Sequence, residues 1–408
     1  MYELVATRIC TVESKQITLF GHTAVINEDG SLTLNGVVLE AWCPRMVAGT
    51  GKIVQWCPRA KVETQCASVA ITEEVTPTEP ELVVLCGLEN DATEASPGYT
   101  YNRRQDKWRN NTALQEQRDE AAILAHRNKI YAIGGCNDNR QILASVEVYE
   151  VEHDRWSTLA PMSEARRQCG AVFRDDALYV VGGTRAGRAL AAAEVYCGNP
   201  ACWTTLANMP TARSGLGLAT LGSDLYACGG SVSSVNNGVF RNDGGARQLN
   251  TVEIYNTETA LWREGAPLNT PRANFGIATL GGRIFVIGGK TNDAWKNLKK
   301  EASVECYDQG RWSVRSPMPT ARSHVSLAVL GSFIFVIGGH GMYDSISTIE
   351  VYDWIADKWF QAAPLPSRRW GHGSVWVNTS RTLSGTTVRD NHEQSKRQTE
   401  LAQSGLLS

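Results

Sequence analysis

The sequence predicts an all-β chain built from tandem copies of one unit of roughly fifty residues, and three observations carry that reading. A glycine doublet after an apolar run recurs at Gly134-Gly135, Gly182-Gly183, Gly229-Gly230, Gly288-Gly289 and Gly338-Gly339, with the second glycines 48, 47, 59 and 50 residues apart. Each doublet is followed by a short apolar run ending in Tyr and then by a Trp. The pairs are Tyr101/Trp108, Tyr149/Trp156, Tyr196/Trp203, Tyr255/Trp262, Tyr307/Trp312 and Tyr352/Trp359, all but one spaced by seven residues. A Pro/Arg element such as Pro210-Thr211-Ala212-Arg213-Ser214, Pro271-Arg272-Ala273 or Pro319-Thr320-Ala321-Arg322-Ser323 precedes the next strand pair.

Each unit reads as four short strands, a to d. In the unit ending at Trp359, strand a spans 325–330, strand b 333–337 and strand c 348–352, and strand d closes near the Trp. These runs alternate or are β-branched and are bounded by Gly, Asp, Asn or Pro, while no helical period competes. One such sheet cannot bury both its faces, whereas copies stacked around an axis bury each against the next. Large aromatics at fixed places suit the layer between copies, where burying each contributes about 2–3 kcal/mol. The doublet glycines suit positive φ and a close backbone approach where strand b ends.

The doublet, Tyr, Trp and Pro/Arg positions together resemble the kelch repeat, most closely between Arg118 and Trp359. The resemblance implies a β-propeller of six clear blades, with six repeats over 61–360. Cys86-Gly87 stands as a degraded doublet, and Gln65-Cys66-Ala67-Ser68-Val69 parallels Gln168-Cys169-Gly170-Ala171-Val172 as the strand a of that unit. A degenerate seventh blade is expected within 1–60, its strands drawn from 17–57, with Ile53–Trp56 as its strand d. The alternative is six blades with an N-terminal appendage. In kelch proteins a C-terminal strand completes the first blade, and 370–378 is expected to close the ring here, in competition with 21–26. The propeller is thus expected over 1–378. Residues 379–408, rich in Ser, Thr, Gln and Arg without an aromatic, are expected to be disordered.

A formal net charge of −2 across 408 residues points to neither nucleic acid nor an anionic membrane as partner. No basic, apolar leader opens the chain, and no apolar run approaches the roughly 20 residues that span a bilayer. Eleven cysteines, several inside strand patterns, read as reduced thiols of a cytoplasmic protein, although Cys197–Cys202 would suit a disulfide in a secreted one. Gly288-Gly289-Lys290-Thr291 lacks the upstream glycine of a phosphate-binding loop. His22, His324 and His372 are read as one repeat position at a channel, without the carboxylates a metal site would add. No cofactor, metal or catalytic constellation is expected.

In such a blade the b–c and d–a connections emerge on one face of the ring. The b–c loops carry Arg140, Arg185 and Arg247 among other cations, and the d–a connections carry Arg118, Arg166, Arg213, Arg272, Arg322 and Arg369. Acids such as Glu28, Asp29, Glu73, Glu74, Glu79, Glu81, Asp175, Asp176, Asp224 and Glu258 gather on the other face. A ring of Arg at a channel mouth suits bidentate recognition of carboxylate or phosphate. In the kelch domains of BTB-kelch ubiquitin-ligase adaptors, which this chain resembles, Arg at the Arg-Ser-Gly position helps hold acidic peptides. Arg213-Ser214-Gly215 matches that element and Arg322-Ser323 matches it in part. The competing reading makes these Arg residues a repeat feature bonded to neighbouring backbone. The long loop 231–250 reads either as a specificity loop or as a neutral insertion.

The expected function is therefore a protein-interaction scaffold for an acidic or phosphorylated peptide, in the setting of a cullin-type ubiquitin ligase, and not an enzyme. The BTB and BACK regions of such adaptors are expected to be missing. The alternatives are a cytoskeletal, actin-associated kelch protein and a small-molecule enzyme of mutarotase or oxidase type.

Overall fold

The structure is a computed structural model that describes residues 80–88, 98–103, 105–111, 114–198, 201–232, 247–292 and 297–378 with their side chains. It also describes the backbone of short strands between 10 and 58 and between 235 and 240. Two compact units result, 1–77 and 78–408.

The larger unit is a propeller of six four-stranded antiparallel blades. Blade 2 shows the pattern, with strand a at Ala122–His126, b at Lys129–Ile133, c at Val146–Glu150 and d at Arg155–Leu159. Blades 3 to 6 repeat it, opening with strand a at Gly170–Arg174, Gly217–Leu221, Gly276–Leu280 and Ser326–Leu330. Blade 1 is assembled from both ends of the unit. Its strand b (Pro80–Leu88), strand c (Tyr99–Asn102) and strand d (Lys107–Asn110) are completed by strand a from Trp370–Asn378, which pairs with strand b from Trp370↔Leu88 to Asn378↔Pro80.

That pairing decides which strand closes the ring. The slot beside Pro80–Leu88 belongs to 370–378, so the assignment of Gln65–Val69 to it is corrected; those five residues lie outside the described ones. The expected seventh blade is corrected too, because the ring closes through six. Within the N-terminal unit, Gln16–Leu19, His22–Ile26, Leu32–Leu34 and Val37–Leu39 form a sheet of their own. Lys52–Pro58, expected as strand d of that blade, pairs instead with Cys10–Thr11 and Trp42–Met46. The tail from 379 is outside the described residues.

Six buried apolar clusters fill the six gaps between successive blades, the last joining Leu82 and Val84 of blade 1 to Ile337, Ile349 and Val351 of blade 6. This is the ring's answer to the sheet-edge problem, since each blade buries both faces against neighbours. The Tyr/Trp pairs sit directly opposite on strands c and d with ring centroids about 5 Å apart in every blade. Several Trp residues also reach sideways. The indole N–H groups of Trp203, Trp262, Trp312 and Trp359 donate to carbonyls of Ala160, Ala207, Ala266 and Ser316 on the preceding blade, at 2.8–2.9 Å.

Around the axis the residue of strand a four places after the d–a arginine must be small. A Cβ added to Gly170, Gly217, Gly276 or Gly373 would fall 2.2–2.7 Å from side-chain atoms of the neighbouring blade.

Candidate protein-interaction face

The repeat element with the largest structural load is the d–a arginine. Arg118, Arg166, Arg213, Arg272, Arg322 and Arg369 are all fully buried. Each carbonyl accepts from the second doublet position of the preceding blade, from Gly87 N→Arg118 O round to Gly339 N→Arg369 O. Each guanidinium donates through Nη1 to the first doublet carbonyl of its own blade: Gly134, Gly182, Gly229, Gly288, Gly338 and, for Arg369, Cys86. One residue type thus stitches two blades together six times. The doublets are glycine because their φ is positive and a Cβ on the first would meet the next arginine's carbonyl at 2.4–2.9 Å.

The charge is met inside the blade. Arg118 pairs with Glu147, and Arg166 with Glu194 at 2.6 Å. Arg213, Arg272 and Arg322 pair with Glu253, Glu305 and Glu350 at 2.7, 2.6 and 2.7 Å. Each Glu lies on strand c two residues before the repeat Tyr. Blade 1 has Tyr99 at that place, and Arg369 lies over its ring at 4.6 Å, a cation–π contact replacing the carboxylate.

These six arginines were expected to touch a partner, and the structure corrects that. A guanidinium with no exposed surface, held by backbone carbonyls and by a carboxylate or, for Arg369, the Tyr99 ring, is turned inward and not toward a partner. Ser323 is likewise buried, and the half-buried Ser214 spends its hydroxyl on Ser231. Arg140, Arg185 and Arg247 are exposed on the b–c loops. Two of them have only loose carboxylate neighbours, Arg140 3.9 Å from Asp119 and Arg185 3.9 Å from Glu164.

The expected acidic face is corrected in part: Asp175 and Glu258 are exposed as expected, while other members are spent on neighbouring cations. Glu81 is buried against Arg109 and Asn102, while Asp176 and Asp224 are neutralised by Arg127 and Arg263. Glu28, Asp29, Glu73, Glu74 and Glu79 lie outside the described residues.

The mouth itself is built by two positions that follow each arginine and one that follows each doublet. The second position after the arginine (Glu120, Gln168, Gly215, Asn274, His324, Gly371) has positive φ in every blade. It passes a backbone hydrogen bond round the axis: Gln168 N→Glu120 O, Gly215 N→Gln168 O, Asn274 N→Gly215 O, His324 N→Asn274 O and Glu120 N→Gly371 O. The position after the doublet pairs with the first position after the same blade's arginine, as Arg167↔Thr184, Ser214↔Ser231, Ala273↔Lys290 and Ser323↔His340. Asp119, Glu120, Arg167, Lys290, Lys300, His324, His340 and Trp370 therefore gather at one mouth.

Burial and neighbours set their protonation. Burial, reinforced by Glu120, pushes Asp119 up to about 6. Burial and the adjacent Lys290 bring Lys300 down to about 8, and Lys290 is lowered by burial against the pull of Glu120. Burial followed by Lys290, Lys300 and His340 holds His324 well below the ordinary imidazole value, so it is neutral. His372 is one register step away from His324: Arg369 aligns with Arg322, so Gly371 takes the mouth position. His372 turns into the interior against Gly87 and Gly338. The three-histidine alignment is corrected accordingly, with His22 outside the described side chains.

The sequence placed Lys290 and Lys300 among the b–c cations and Asp119 and Glu120 among the fewer acids of the same face, but neither these four nor Trp370 stood out as site residues. The signal was available, because all but Lys300 stand at a fixed offset from an Arg or a doublet.

Geometry and repeat chemistry define a six-bladed propeller with one cation-rimmed, loop-bearing face. Residues 117–163, 165–210, 212–269, 271–319 and 321–366 match the Kelch motif, and the chain belongs to the kelch-repeat family. It is 29% identical over 297 residues to Kelch-like protein 34 of Homo sapiens, covering 72% of this chain and 30% of that protein. Similarity to Kelch-like protein 38 of Mus musculus is 22% over 250 residues (61% and 39%), and to Beta-scruin of Limulus polyphemus 23% over 210 residues (50% and 22%). The chain spans well under half the length of each of these relatives.

Proposed function

We propose that the chain is a protein-interaction module that receives an acidic segment of a partner on its b–c face. The observation that carries this reading is the convergence of three repeat positions from six blades on one mouth, with Arg140, Arg185 and Arg247 exposed on the b–c loops of the same face. Binding loops on a rigid scaffold are a common site of function. The b–c loop of blade 6 adds anchors, Met342 at 71% and Tyr343 at 86% exposure, of the types that concentrate binding energy in interfaces. The resemblance of the repeats to those of BTB-kelch adaptors supports placing this capture in a ubiquitin-ligase setting, with the ligase link supplied outside the propeller. Cysteines buried in the blades, with Cys86 and Cys228 pushed up to about 12 by burial, suit the reducing cytoplasm. Among the described residues no helix is long and apolar enough to cross a membrane. The reading gives the chain no catalytic step.

A second reading, a cytoskeletal scaffold, is favoured by one observation. Leu261, Val314 and Phe360, on the outer strands d of blades 4, 5 and 6, are 67%, 66% and 53% exposed. They would form a second contact surface on unpaired sheet edges.

Affinity-purification mass spectrometry comparing wild type with Arg140→Glu/Arg185→Glu/Arg247→Glu tests the first reading. Loss of specific partners with an unchanged melting temperature is the expected result. An unchanged partner set overturns it, and partners lost only on replacing the three outer apolar residues select the second reading.

A further inference from the structure

Arg140 and Arg185 have carboxylates within 4 Å, but among the described residues two lysines at the mouth, Lys290 and Lys300, form no ion pair. Lys290 and Lys300 sit directly opposite each other in the two-stranded ribbon of Lys290–Asn292 with Leu298–Lys300, which projects their side chains to the same side. Both are half-buried. The ribbon root is fixed to the mouth by reciprocal hydrogen bonds between Lys290 and Ala273. Like charges directly opposite in a β-ladder destabilise it, so this pairing works against the fold.

The surroundings do not relieve it. Lys300 Nζ donates to Ser323 Oγ at 3.0 Å, and that oxygen lies 3.1 Å from Nδ1 of the neutral His324. The carboxylate acting on Lys290 is Glu120, across the mouth, and it is already engaged by Arg167 at 2.9 Å and by Gln168. His340 and His324 flank the ring of Trp370, with centroids 6.2 and 5.2 Å away. His340 Nδ1 donates to Gly341 O at 2.8 Å, which leaves Nε2 free of that bond.

We propose that Lys290 and Lys300 form the seat of a phosphate monoester dianion at the channel mouth, so that the acidic segment this face prefers is a phosphorylated one. The inference rests on the capture reading above and narrows it. A single carboxylate neutralises one ammonium and leaves the other facing it, half-buried. A dianion with three terminal oxygens neutralises both and accepts from each. The two facing ammonium groups are held in an unfavourable state until the anion arrives; burial first, and then Lys290, lowers Lys300. Relief of that repulsion favours the doubly charged ligand over the singly charged one. The same chemistry is offered by a phosphorylated side chain or by a small free phosphate ester.

Isothermal titration of the full chain separates the possibilities. The probes are inorganic phosphate, O-phosphothreonine, a degenerate peptide pool centred on phosphothreonine, and the same pool with Glu at its centre. The phosphothreonine pool is expected to bind at least tenfold tighter than the Glu pool. Lys290→Met or Lys300→Met should each cost tenfold or more in affinity for every phosphate probe. Lys290→Arg, which keeps the charge, should retain binding within about threefold and so separates loss of charge from misfolding. Reversal of Arg140, Arg185 and Arg247 should weaken the pools and spare free phosphate. Equal binding of the two pools, or phosphate binding unaffected by both Met variants, overturns the seat while leaving acidic capture standing. Binding of the small phosphates with neither pool bound supports the seat and sinks the capture reading.

Discussion

Replacing Arg272 by Ala should damage the fold and not merely the surface. Its guanidinium donates to Gly288 O at 2.9 Å, Ser303 O at 3.1 Å, Ser303 Oγ at 2.8 Å and Glu305 Oε1 at 2.6 Å, with a longer bond to Thr270 O at 3.4 Å. Truncation strands two carbonyls and leaves Glu305, 1% exposed, without its cation. Three donors remain on that carboxylate: Asn269 N at 2.7 Å, Asn269 Nδ2 at 2.9 Å and Thr270 N at 3.1 Å. They hold the loss toward the middle of the about 3–5 kcal/mol expected when one member of a buried pair is removed. At about 4 kcal/mol the melting temperature should fall by on the order of 8 °C in a chain of this size. Arg272→Lys, which keeps the charge but not the planar fork, should lose less. Arg272→Met with Glu305→Gln removes both charges and should recover part of the deficit. Differential scanning calorimetry reads all three, and Arg140→Ala, an exposed control, should lie within about 0.5 kcal/mol of wild type. An Arg272→Ala chain that melts with the wild type yet fails to bind a partner would refute the stitch and restore the arginine to the binding surface.

Asp119→Asn should stabilise the chain at neutral pH. The buried carboxyl titrates at about 6 against 3.8 for a free one, so the folded state holds a proton that the unfolded chain releases between those values. The native state therefore loses ground as pH rises through that window, and above it the Asn variant should be more stable by about 1–2 kcal/mol after discounting for solvent at the mouth. The gain should vanish below about pH 4; denaturant titrations at pH 7.5 and pH 4 check the sign, and an equal gain at both excludes the cause. Trp312→Phe keeps the stack on Tyr307 but leaves Ala266 O without its donor across the blade boundary. It should cost about 1 kcal/mol, and no change in unfolding midpoint would show the indole N–H to be dispensable.

Local chemistry was legible in the chain. The doublets, the Tyr/Trp pairs and the Arg element each depend on one unit folding on itself, and strand b of blade 6 was placed at 333–337, where it lies. The partition of arginines into buried and exposed was not legible. Arg213 and Arg247 have the same charge and length, and only the carbonyls and Glu253 that converge on the first tell them apart. The alignment of His372 with His324 failed by one residue, which in a strand is the difference between the mouth and the interior. Arg369, aligned with Arg322, fixes the register, but its meaning depends on Cys86 O, 283 residues away.

By itself the sequence determined the blade, because a four-stranded antiparallel unit with a buried aromatic pair is specified by contacts within about fifty residues of the chain. Tertiary structure alone decided the number of blades, the strand that closes them and the charge at the mouth. All three depend on the circumference at which strand a of each blade fits against the next, and on which cations find buried partners there. Closure is a global condition, met between Trp370–Asn378 and Pro80–Leu88, and no local pattern encodes it.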